Sequence, residues 1–430
     1  MKEKLKVVWL CTYSDKKLRS HLSFPRWYWG NIIRLVMGMN KHMDFSVWIT
    51  NALAEVQNMT EMVELHVIAP HSGIERIHEF EENGIYFHVF WHEWDIISEK
   101  IKRKYNLRNM NSFSNNRKTI TKLIAKIQPD IVHLIGIENK FYSMAVFDIP
   151  KDIPVIAQLQ TLVSDSRFKA SCGATGREYE FDSETEKSIM HRADYIGTQV
   201  QRFREIILKD IKPDAVFVET TLALTEPVLE DTTSKEFDFV YFAADISKAA
   251  DLAIEAFAEA LKEKPSLTLD IVGGYSPEYK AALDKRLTEL GINSNVTFEG
   301  KLPTHDDVIR QIRKSRFALL PLKIDLVSGT IRESMACGLP VVTTFTPGTP
   351  KLNEKRECAL LSEVGNHKAM AQNMLKLLNE KGLSDKLREN ELKTACESIS
   401  NREVVEQYIK TYYDCVKSFR GGKAIGSSKR

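Results

Sequence analysis

Short apolar runs alternate with helix-like segments along almost the whole chain, and this alternation constrains the fold more than any other feature. Strands that alternate with helices predict parallel sheets, because two parallel strands must be joined by a long crossover that is usually helical. We therefore predict an α/β fold. In the first half the predicted strands are Leu5–Thr12, Glu64–Ala69, Ile85–Trp91, Ile131–Ile135, Pro154–Leu159 and, as the last of this half, Ala193–Thr198.

The same alternation restarts after residues 212–236, a stretch with two Pro and many Thr and acidic residues, which we interpret as the domain linker. At 430 residues the chain is too long for one ordinary core. We predict a first domain over 1–222, a second over 223–400, a crossover helix over 401–419 and a disordered tail over 420–430. The second-half strands are predicted at Phe237–Ala243, Leu267–Val272, Asn295–Phe298, Arg316–Leu320 and Val341–Thr344.

Composition excludes several classes of protein. A net charge of +2 does not suggest a nucleic-acid partner. The six Cys contain no CxxC pair, which argues against a zinc site and suits a reducing compartment. The apolar run near the N-terminus is too short for a signal peptide or a membrane span, so we expect a cytoplasmic protein.

The most specific chemistry lies between Asp325 and Thr344. A turn of small residues, Ser328 to Thr330, runs into a short helix that carries Glu333. A glycine-containing turn at a helix start presents backbone N–H groups and the positive end of the helix dipole, which suit a phosphate. A carboxylate one turn further along accepts hydrogen bonds from vicinal sugar hydroxyls. The pattern indicates a sugar nucleotide as ligand.

The segment from Glu333 to Val342, ESMACGLPVV, resembles the donor-binding domain of GT-B glycosyltransferases, specifically the retaining glycosyltransferase family 4 group. Family members have an acid-x7-acid pattern there, and Asp325 stands eight residues before Glu333. Further matches in the expected order are Lys248 with Asp251 and Ala256-Phe257, Ile271 to Gly274, Asn295 to Gly300, Gly348 to Pro350, Asp130 to His133, Pro154 to Ile156 and Ala193-Asp194. The resemblance implies a GT-B fold, with two Rossmann-like domains facing across a cleft and a C-terminal helix packed back toward the first domain.

The resemblance also implies roles for the donor-site residues. Glu333 would hold the ribose hydroxyls, and Asp325, where the family usually has Glu, would contact the donor sugar. Lys248, with Gly274 and the backbone of Ser328, Gly329 and Thr330, would bind the diphosphate and stabilise its growing charge. The enzyme would use a nucleoside diphosphate-sugar as donor and need neither a cofactor nor a metal. It would transfer the sugar with retention, and bacterial surface polysaccharide or glycolipid assembly is the family-level expectation.

Two departures from the family pattern concern catalysis. Ala243 stands where the family usually has an Arg that binds the diphosphate, and Gln160 stands where many members have a catalytic-site His. Glutamine can form hydrogen bonds but cannot carry a proton near neutral pH. We predict His133, Glu138 and Gln160 on the acceptor side, each of which can equally be a strand-end residue bonded to backbone.

Arg19, in the loop after the first strand, could contact phosphate or acceptor, or be a solvated loop cation. The acceptor itself would be a saccharide or a lipid-linked saccharide. Two stretches raise the possibility of peripheral contact with an anionic membrane. Lys100–Lys126 holds nine Lys or Arg and no acid, and Trp27 to Trp29 adds aromatic residues beside Arg26. Packing of the aromatic segment on the core is the interpretation that we favour.

Two other functions remain open. A different enzyme on the same architecture, such as a nucleotide-sugar epimerase or an inverting transferase, would have similar sequence features. A catalytically weak homologue that binds a sugar nucleotide or a partner protein would explain Ala243 and Gln160. A nucleotide-dependent oxidoreductase is not expected, because no G-x-G-x-x-G follows the first strand.

Overall fold

The computed structural model describes residues 4–25, 44–91, 113–166, 177–243, 249–323, 328–346, 348–398 and 400–421. The chain divides into two compact units. Unit 1 contains Met1–Ala223 together with Asn401–Arg430, and unit 2 contains Leu224–Ser400. The aromatic segment at Trp27 to Trp29 and residues 100–112 of the basic stretch lie outside the described residues.

Unit 1 is built on an eight-stranded sheet in the order β3-β4-β2-β1-β5-β6-β7-β8. The pairs are parallel, as predicted, except for the antiparallel pair of β3 and β4 at one edge. The strands are β1 Leu5–Leu10, β2 Val63–His71, β3 His78–Glu82, β4 Ile85–Trp91, β5 Ile131–Ile135, β6 Val155–Gln158, β7 Tyr195–Gly197 and β8 Phe217–Val218.

The central strands β1, β5 and β6 are buried almost throughout, which explains why they appear in the sequence as continuous apolar runs. The edge strand β3 alternates half-buried with exposed residues and is rich in Glu, so its apolar signal is weak. A tight turn at Asn83-Gly84, both at positive φ, joins β3 to β4. The prediction missed β3, and it was also wrong in placing the last strand of this half at β7, because the two-residue β8 follows.

The helices of unit 1 cover both faces of the sheet. They are α1 Lys16–Ser20, α2 Val47–Val56, α3 Ser114–Ile127, α4 Lys140–Ser143, α5 Arg177–Arg192 and α6 Gln201–Ile206. The last helix of the chain, α13 at Asn401–Gly421, also belongs to this unit. Its apolar side chains, including Val404, Tyr408 and Tyr412, are buried in the same hydrophobic core as Trp9.

Unit 2 has a six-stranded parallel sheet in the order β11-β10-β9-β12-β13-β14. The strands are β9 Phe237–Phe242, β10 Leu269–Val272, β11 Val296–Gly300, β12 Ser315–Leu320, β13 Val341–Thr344 and β14 Ala359–Ser362. The helices are α7 Ala250–Leu261, α8 Pro277–Leu290, α9 His305–Ile312, α10 Gly329–Ala336, α11 His367–Asn379 and α12 Leu383–Glu397.

Local sequence signals explain where several helices of unit 2 begin and end. Helix α8 begins with Ser276 as N-cap and Pro277 in the first turn, and Gly291 ends it in the left-handed region. Helix α9 begins with a capping box in which Thr304 and Asp307 bond each other's backbone N–H groups. Within the described ranges no helix has the length and apolar character needed to cross a membrane.

Candidate functional site

The strand order of unit 2 reverses at β9, since β10 and β11 lie on one side of it and β12 to β14 on the other. In open α/β sheets such a reversal, at the carboxyl ends of the strands, is the usual place for a ligand. Lys248 precedes α7 and Asp325 precedes α10 along the chain. Both lie outside the described residues, so their roles stay predictions.

The ends of β9 and β10 approach each other closely at Gly273. A Cβ atom on Gly273 would lie 2.1 Å from the carbonyl oxygen of Ala243, and its φ of +155° also favours glycine. The neighbouring Gly274 is half-buried, and a Cβ there would lie 2.9 Å from the Lys301 side chain. These contacts explain the glycine pair after β10. The ends of β9 and β10 lie so close together that a side chain at Gly273 would push the two strands apart.

Buried threonines hold the loop after β12 against the end of β13. Thr344 Oγ1 accepts a hydrogen bond from the Leu322 N–H (2.9 Å) and donates to the Leu322 carbonyl (2.6 Å). Thr343 Oγ1 donates to the Leu320 carbonyl at 2.7 Å, and Thr349 Oγ1 donates to the Thr344 carbonyl at 2.8 Å. The loop that leads to the start of α10 is therefore anchored at its beginning by side-chain hydrogen bonds.

The first turn of α10 is formed by residues of the predicted phosphate site. Ser328 is the N-cap residue, but its side chain contacts Thr330 Oγ1 at 2.8 Å and caps no backbone N–H. Gly329 is exposed, and no atom lies within 4 Å of the position of a Cβ on it. The first N–H groups of a helix have no intrahelical acceptor, so this turn can bind an anion.

Glu333 lies one turn further along the same helix, and its side chain is 17% exposed. Burial raises the pKa of its carboxyl to about 8. The carboxyl and the N–H groups of the first turn thus lie on one short helix. This arrangement can bind a phosphate at the helix start and hydroxyl groups at the carboxyl.

Glu333 contacts a histidine that was not predicted from the sequence. His305 is the first residue of α9, and its Nε2 lies 3.5 Å from Glu333 Oε1 and 3.1 Å from Thr225 Oγ1. A single histidine at a helix start carries no motif, so only the packing of α9 beside α10 could reveal it.

In unit 1, the structure brings Gln160 and the loop of Glu138 together just after the carboxyl ends of β5 and β6. Gly136 between them has φ of +84°, and a Cβ on it would lie 3.1 Å from Gln160 Nε2. Burial and the nearby charge of Glu186 raise the pKa of Glu138 to about 7. Glu138 Oε1 accepts a hydrogen bond from Asn139 Nδ2 at 3.2 Å, and Oε2 has no hydrogen-bond partner among the described residues.

Glu186 on α5 is a second acid that the prediction missed. It is 2% exposed and accepts hydrogen bonds from the N–H groups of Val163 and Ser164 at 2.8 and 2.9 Å, and from Ser164 Oγ at 2.8 Å. Burial raises its pKa to about 7. Sequence gives no sign of it, because α5 contains several other acids at exposed positions.

His133 is a core residue, which corrects its prediction as an acceptor-side group. It lies in the middle of β5 and is 0% exposed. Its Nδ1 lies 2.7 Å from Tyr412 Oη, and the rings of Trp9 and Tyr408 pack around it. Burial lowers its pKa to about 3. The prediction placed it near a strand end, but the residue points into the face of the sheet that α13 covers.

Arg19 also differs from its predicted role, because an acid already neutralises its charge. Its guanidinium donates to Asp44 Oδ1 at 2.7 Å and to Ser14 Oγ at 2.9 Å, and its side chain is 14% exposed. The arginine therefore ties α1 to the segment before α2. A phosphate that used it would have to displace Asp44.

Comparison with known proteins agrees with this architecture. Residues 230–394 match the family described as glycosyl transferases group 1, which is less than half of the chain and lies in unit 2. The N-acetyl-alpha-D-glucosaminyl L-malate synthase of Bacillus anthracis is 28% identical over 170 residues, which are 40% of this chain and 43% of that protein. The chain thus matches less than half the length of this relative.

Solved structures are similar over nearly the whole chain. Sucrose-phosphate synthase from Thermosynechococcus elongatus has a TM-score of 0.69 at 14% identity, covering 95% of this chain and 98% of that one. HepE from Anabaena, solved in complex with UDP and glucose, has a TM-score of 0.62 at 14% identity, covering 95% and 99%. At such low identity the likeness shows the fold. The predicted resemblance to GT-B glycosyltransferases and the GT-B fold class are confirmed.

Proposed function

We propose that this chain, whose residues 230–394 match glycosyl transferases group 1, moves a sugar from a nucleoside diphosphate-sugar to an acceptor hydroxyl. The observation that carries the proposal is the geometry of α10. Its first turn leaves backbone N–H groups for a phosphate, and Glu333 follows on the same helix at the reversal of the parallel sheet. A nucleotide sugar has a diphosphate, which suits the helix start, and a ribose diol, which suits the carboxyl.

In the proposed reaction, the bond between the anomeric carbon and the diphosphate oxygen breaks, and a bond to the acceptor oxygen forms. The nucleoside diphosphate leaves with the electron pair, and the acceptor hydroxyl gives its proton to the departing diphosphate oxygen. Catalysis then depends on stabilising the negative charge that grows on the leaving group. We assign this to the N–H groups of Ser328 to Thr330 and to Lys248, with Asp325 against the donor sugar.

UDP-sugars are the first donors to test. HepE was solved with UDP and glucose, and the pneumococcal O-GlcNAc transferase GtfA was solved with UDP and GlcNAc. The GtfA structure has a TM-score of 0.56 at 15% identity and covers 69% of this chain and 60% of that one. We extend to this chain only the nucleotide, and we propose retention at the anomeric carbon from the match to the family 4 motif.

The acceptor side of the proposal rests on Gln160 and Glu138 in unit 1, which the structure brings to one sheet edge with Glu186. Buried carboxyl groups and an amide offer acceptors and donors for sugar hydroxyls. A saccharide or lipid-linked saccharide acceptor in bacterial surface polysaccharide or glycolipid synthesis fits that chemistry. Membrane contact stays a prediction. Of the described cations in the basic stretch, Arg117 and Lys126 pair with Asp148 and Glu79.

Replacing Glu333 with alanine tests the donor site. We expect Glu333→Ala to weaken UDP binding by about 10-fold to 100-fold, because hydrogen bonds to a charged group contribute roughly 1.5–3 kcal/mol. Lys248→Ala should weaken it as well. Isothermal titration calorimetry with UDP measures both, and Glu389→Ala, an exposed acid on α12, is the matched control. The donor-site assignment is wrong if both Glu333→Ala and Lys248→Ala bind UDP like the wild type.

A second candidate function is a catalytically weak homologue that binds a sugar nucleotide. Ala243 favours this function, because its carbonyl packs beside Gly273 and its side chain offers no cation for a diphosphate. Turnover with a panel of UDP-, GDP- and ADP-sugars decides between the two functions. Binding without release of nucleoside diphosphate for any donor and saccharide acceptor would favour the weak homologue.

A further inference from the structure

Three segments of unit 2 meet at the His305 imidazole. Thr225 comes from the segment before β9, His305 opens α9, and Glu333 lies on α10. The two distances from His305 Nε2, 3.5 Å to Glu333 Oε1 and 3.1 Å to Thr225 Oγ1, place the imidazole edge between the other two groups. The side chains of His305 and Glu333 are 18% and 17% exposed, so water screens their charges weakly.

The described surroundings give Glu333 no other cation. Arg313 and Lys235, which act on the neighbouring Cys337 thiol, both pair with Asp231, at 2.8 Å each. Within the described residues, His305 is the basic side chain within ion-pair distance of Glu333. Of the described residues, His305 is therefore the one placed to act on the charge of this carboxyl.

Charge matters here because of what the carboxyl is proposed to hold. An ionised carboxylate accepts hydrogen bonds at both oxygens, whereas a protonated one uses one oxygen as a donor. The vicinal hydroxyls of a ribose present two donors and are best matched by the ionised form. Burial favours the protonated form of Glu333, so a partner that takes up its proton is needed near neutral pH.

We propose that His305 is a positioning residue for the donor nucleotide, which keeps Glu333 ionised and oriented toward the ribose diol. The inference rests on the proposed function. A proton moves from Glu333 Oε1 to His305 Nε2, so that a carboxylate and an imidazolium replace two neutral groups, and no other bond changes. Thr225 Oγ1 holds the imidazole edge in place. His305 acts through Glu333 and is not itself assigned a contact with the nucleotide.

The variant His305→Gln separates charge from hydrogen bonding, because an amide can still bond Thr225 but cannot carry the proton. Burial raises the pKa of Glu333 to about 8, and a carboxyl with that pKa is roughly one-tenth ionised at pH 7. We therefore expect His305→Gln to bind UDP about tenfold more weakly than the wild type at pH 7. The deficit should largely disappear at pH 9, where Glu333 ionises unaided.

A second ligand gives a readout that misfolding would not produce. We expect 2′,3′-dideoxy-UDP to bind wild type, His305→Gln and Glu333→Ala with similar affinity, because it lacks the diol that Glu333 holds. His367→Gln is the matched control, since His367 is likewise the first residue of a helix in unit 2. It should bind UDP like the wild type.

The outcomes distinguish the two proposals. If Glu333→Ala loses the preference for UDP over the dideoxy ligand but His305→Gln keeps it, the role of His305 is wrong and the donor site stands. Equal weakening of both ligands by His305→Gln also overturns the inference, because a structural role would explain it. Failure of the wild type to bind UDP, ADP and GDP overturns the proposed function, and this inference with it.

Discussion

Residues from the first strand and the last helix of the chain surround the His133 imidazole. The Trp9 indole N–H donates to Tyr412 Oη at 2.8 Å, and the same hydroxyl oxygen lies 2.7 Å from His133 Nδ1. Because the site is fully buried, an added proton would introduce a charge into the core of unit 1.

His133 should make unit 1 sensitive to acid. Its pKa is about 3 in the folded protein and about 6.5 when unfolded. Between these values the unfolded chain binds a proton that the folded chain does not, so the free energy of unfolding falls as the pH decreases below about 6.5. At pH 5 the loss from this residue is about 2 kcal/mol. We expect His133→Gln to lose about 2 kcal/mol less than the wild type between pH 7.5 and pH 5.

Chemical denaturation followed by tryptophan fluorescence measures this difference, because all six Trp precede residue 95 and so report on unit 1. Tyr412→Phe is the matched control, which removes the same hydrogen bond but keeps the titrating group. Glu138 and Glu186 have raised pKa values and act in the opposite direction, equally in both chains. Equal acid sensitivity in the wild type and His133→Gln would contradict the prediction.

For single residues, the sequence predicts those that belong to a local motif and misses those whose role comes from contacts in the folded protein. Glu333 and the turn before it were recognisable because their order and spacing are local. His305 and Glu186 matter because of contacts with residues that are distant in sequence. His305 lies 28 residues before Glu333, and Glu186 lies 22 residues after Ser164. Such contacts leave no periodicity or spacing to detect. The prediction for His133 was wrong because a polar residue in an apolar strand can lie either in the core or at a functional site, and the sequence does not distinguish the two.

Among the elements, the ends of β9 and β10 are the most tightly constrained. We expect Gly273→Ala to destabilise unit 2 by about 3 kcal/mol or more, because the new Cβ would meet the Ala243 carbonyl and the backbone would be strained. Gly291→Ala is the matched control. Gly291 also has a positive φ, but nothing lies within 4 Å of its Cβ position, so about 1 kcal/mol is expected.

Calorimetric unfolding with and without UDP measures both variants. Gly273→Ala should also reduce the stabilisation by UDP, because the shifted strand ends belong to the proposed donor site. The variant at 291 should retain it. If the two substitutions lower the free energy of unfolding by similar amounts, β9 and β10 can move apart easily and the prediction is wrong.

Elements with strong local signals were predicted almost to the residue. The predicted strands at 85–91, 131–135 and 341–344 coincide with β4, β5 and β13, because runs of aromatic and β-branched residues define them. Strands β3, β8 and β14 were missed because their stability comes from pairing with a neighbour. Their own signals are weak, since β3 is rich in Glu and β8 and β14 are two and four residues long.

For the whole molecule, the decisive feature is that α13 packs in unit 1 although unit 2 precedes it in sequence. Its buried side chains are Val404, Val405, Tyr408, Ile409, Tyr412, Cys415 and Val416. Tyr195 Oη also donates to the Cys415 carbonyl at 3.0 Å. Burying one large apolar side chain contributes about 1.5–3 kcal/mol, so together they contribute about 10 kcal/mol or more. That is comparable with the entire stability of a domain.

A chain that stops after Ser400 should therefore lose the cooperative unfolding of unit 1. We expect red-shifted tryptophan fluorescence before any denaturant is added, while UDP still stabilises unit 2 in a dye-based thermal shift. A chain that stops after Gly421 is the matched control. Native-like fluorescence in the shorter chain would show that unit 1 folds without α13.

The return of the chain to unit 1 also orders events during translation. Unit 2 is made entirely before α13, whereas the core of unit 1 waits for residues that are synthesised about 180 residues after its last strand. Apolar faces of the first sheet are thus exposed on the ribosome while unit 2 can already fold. Nascent chains of increasing length should become protease-resistant in unit 2 first and in unit 1 only after residue 421 has left the exit tunnel.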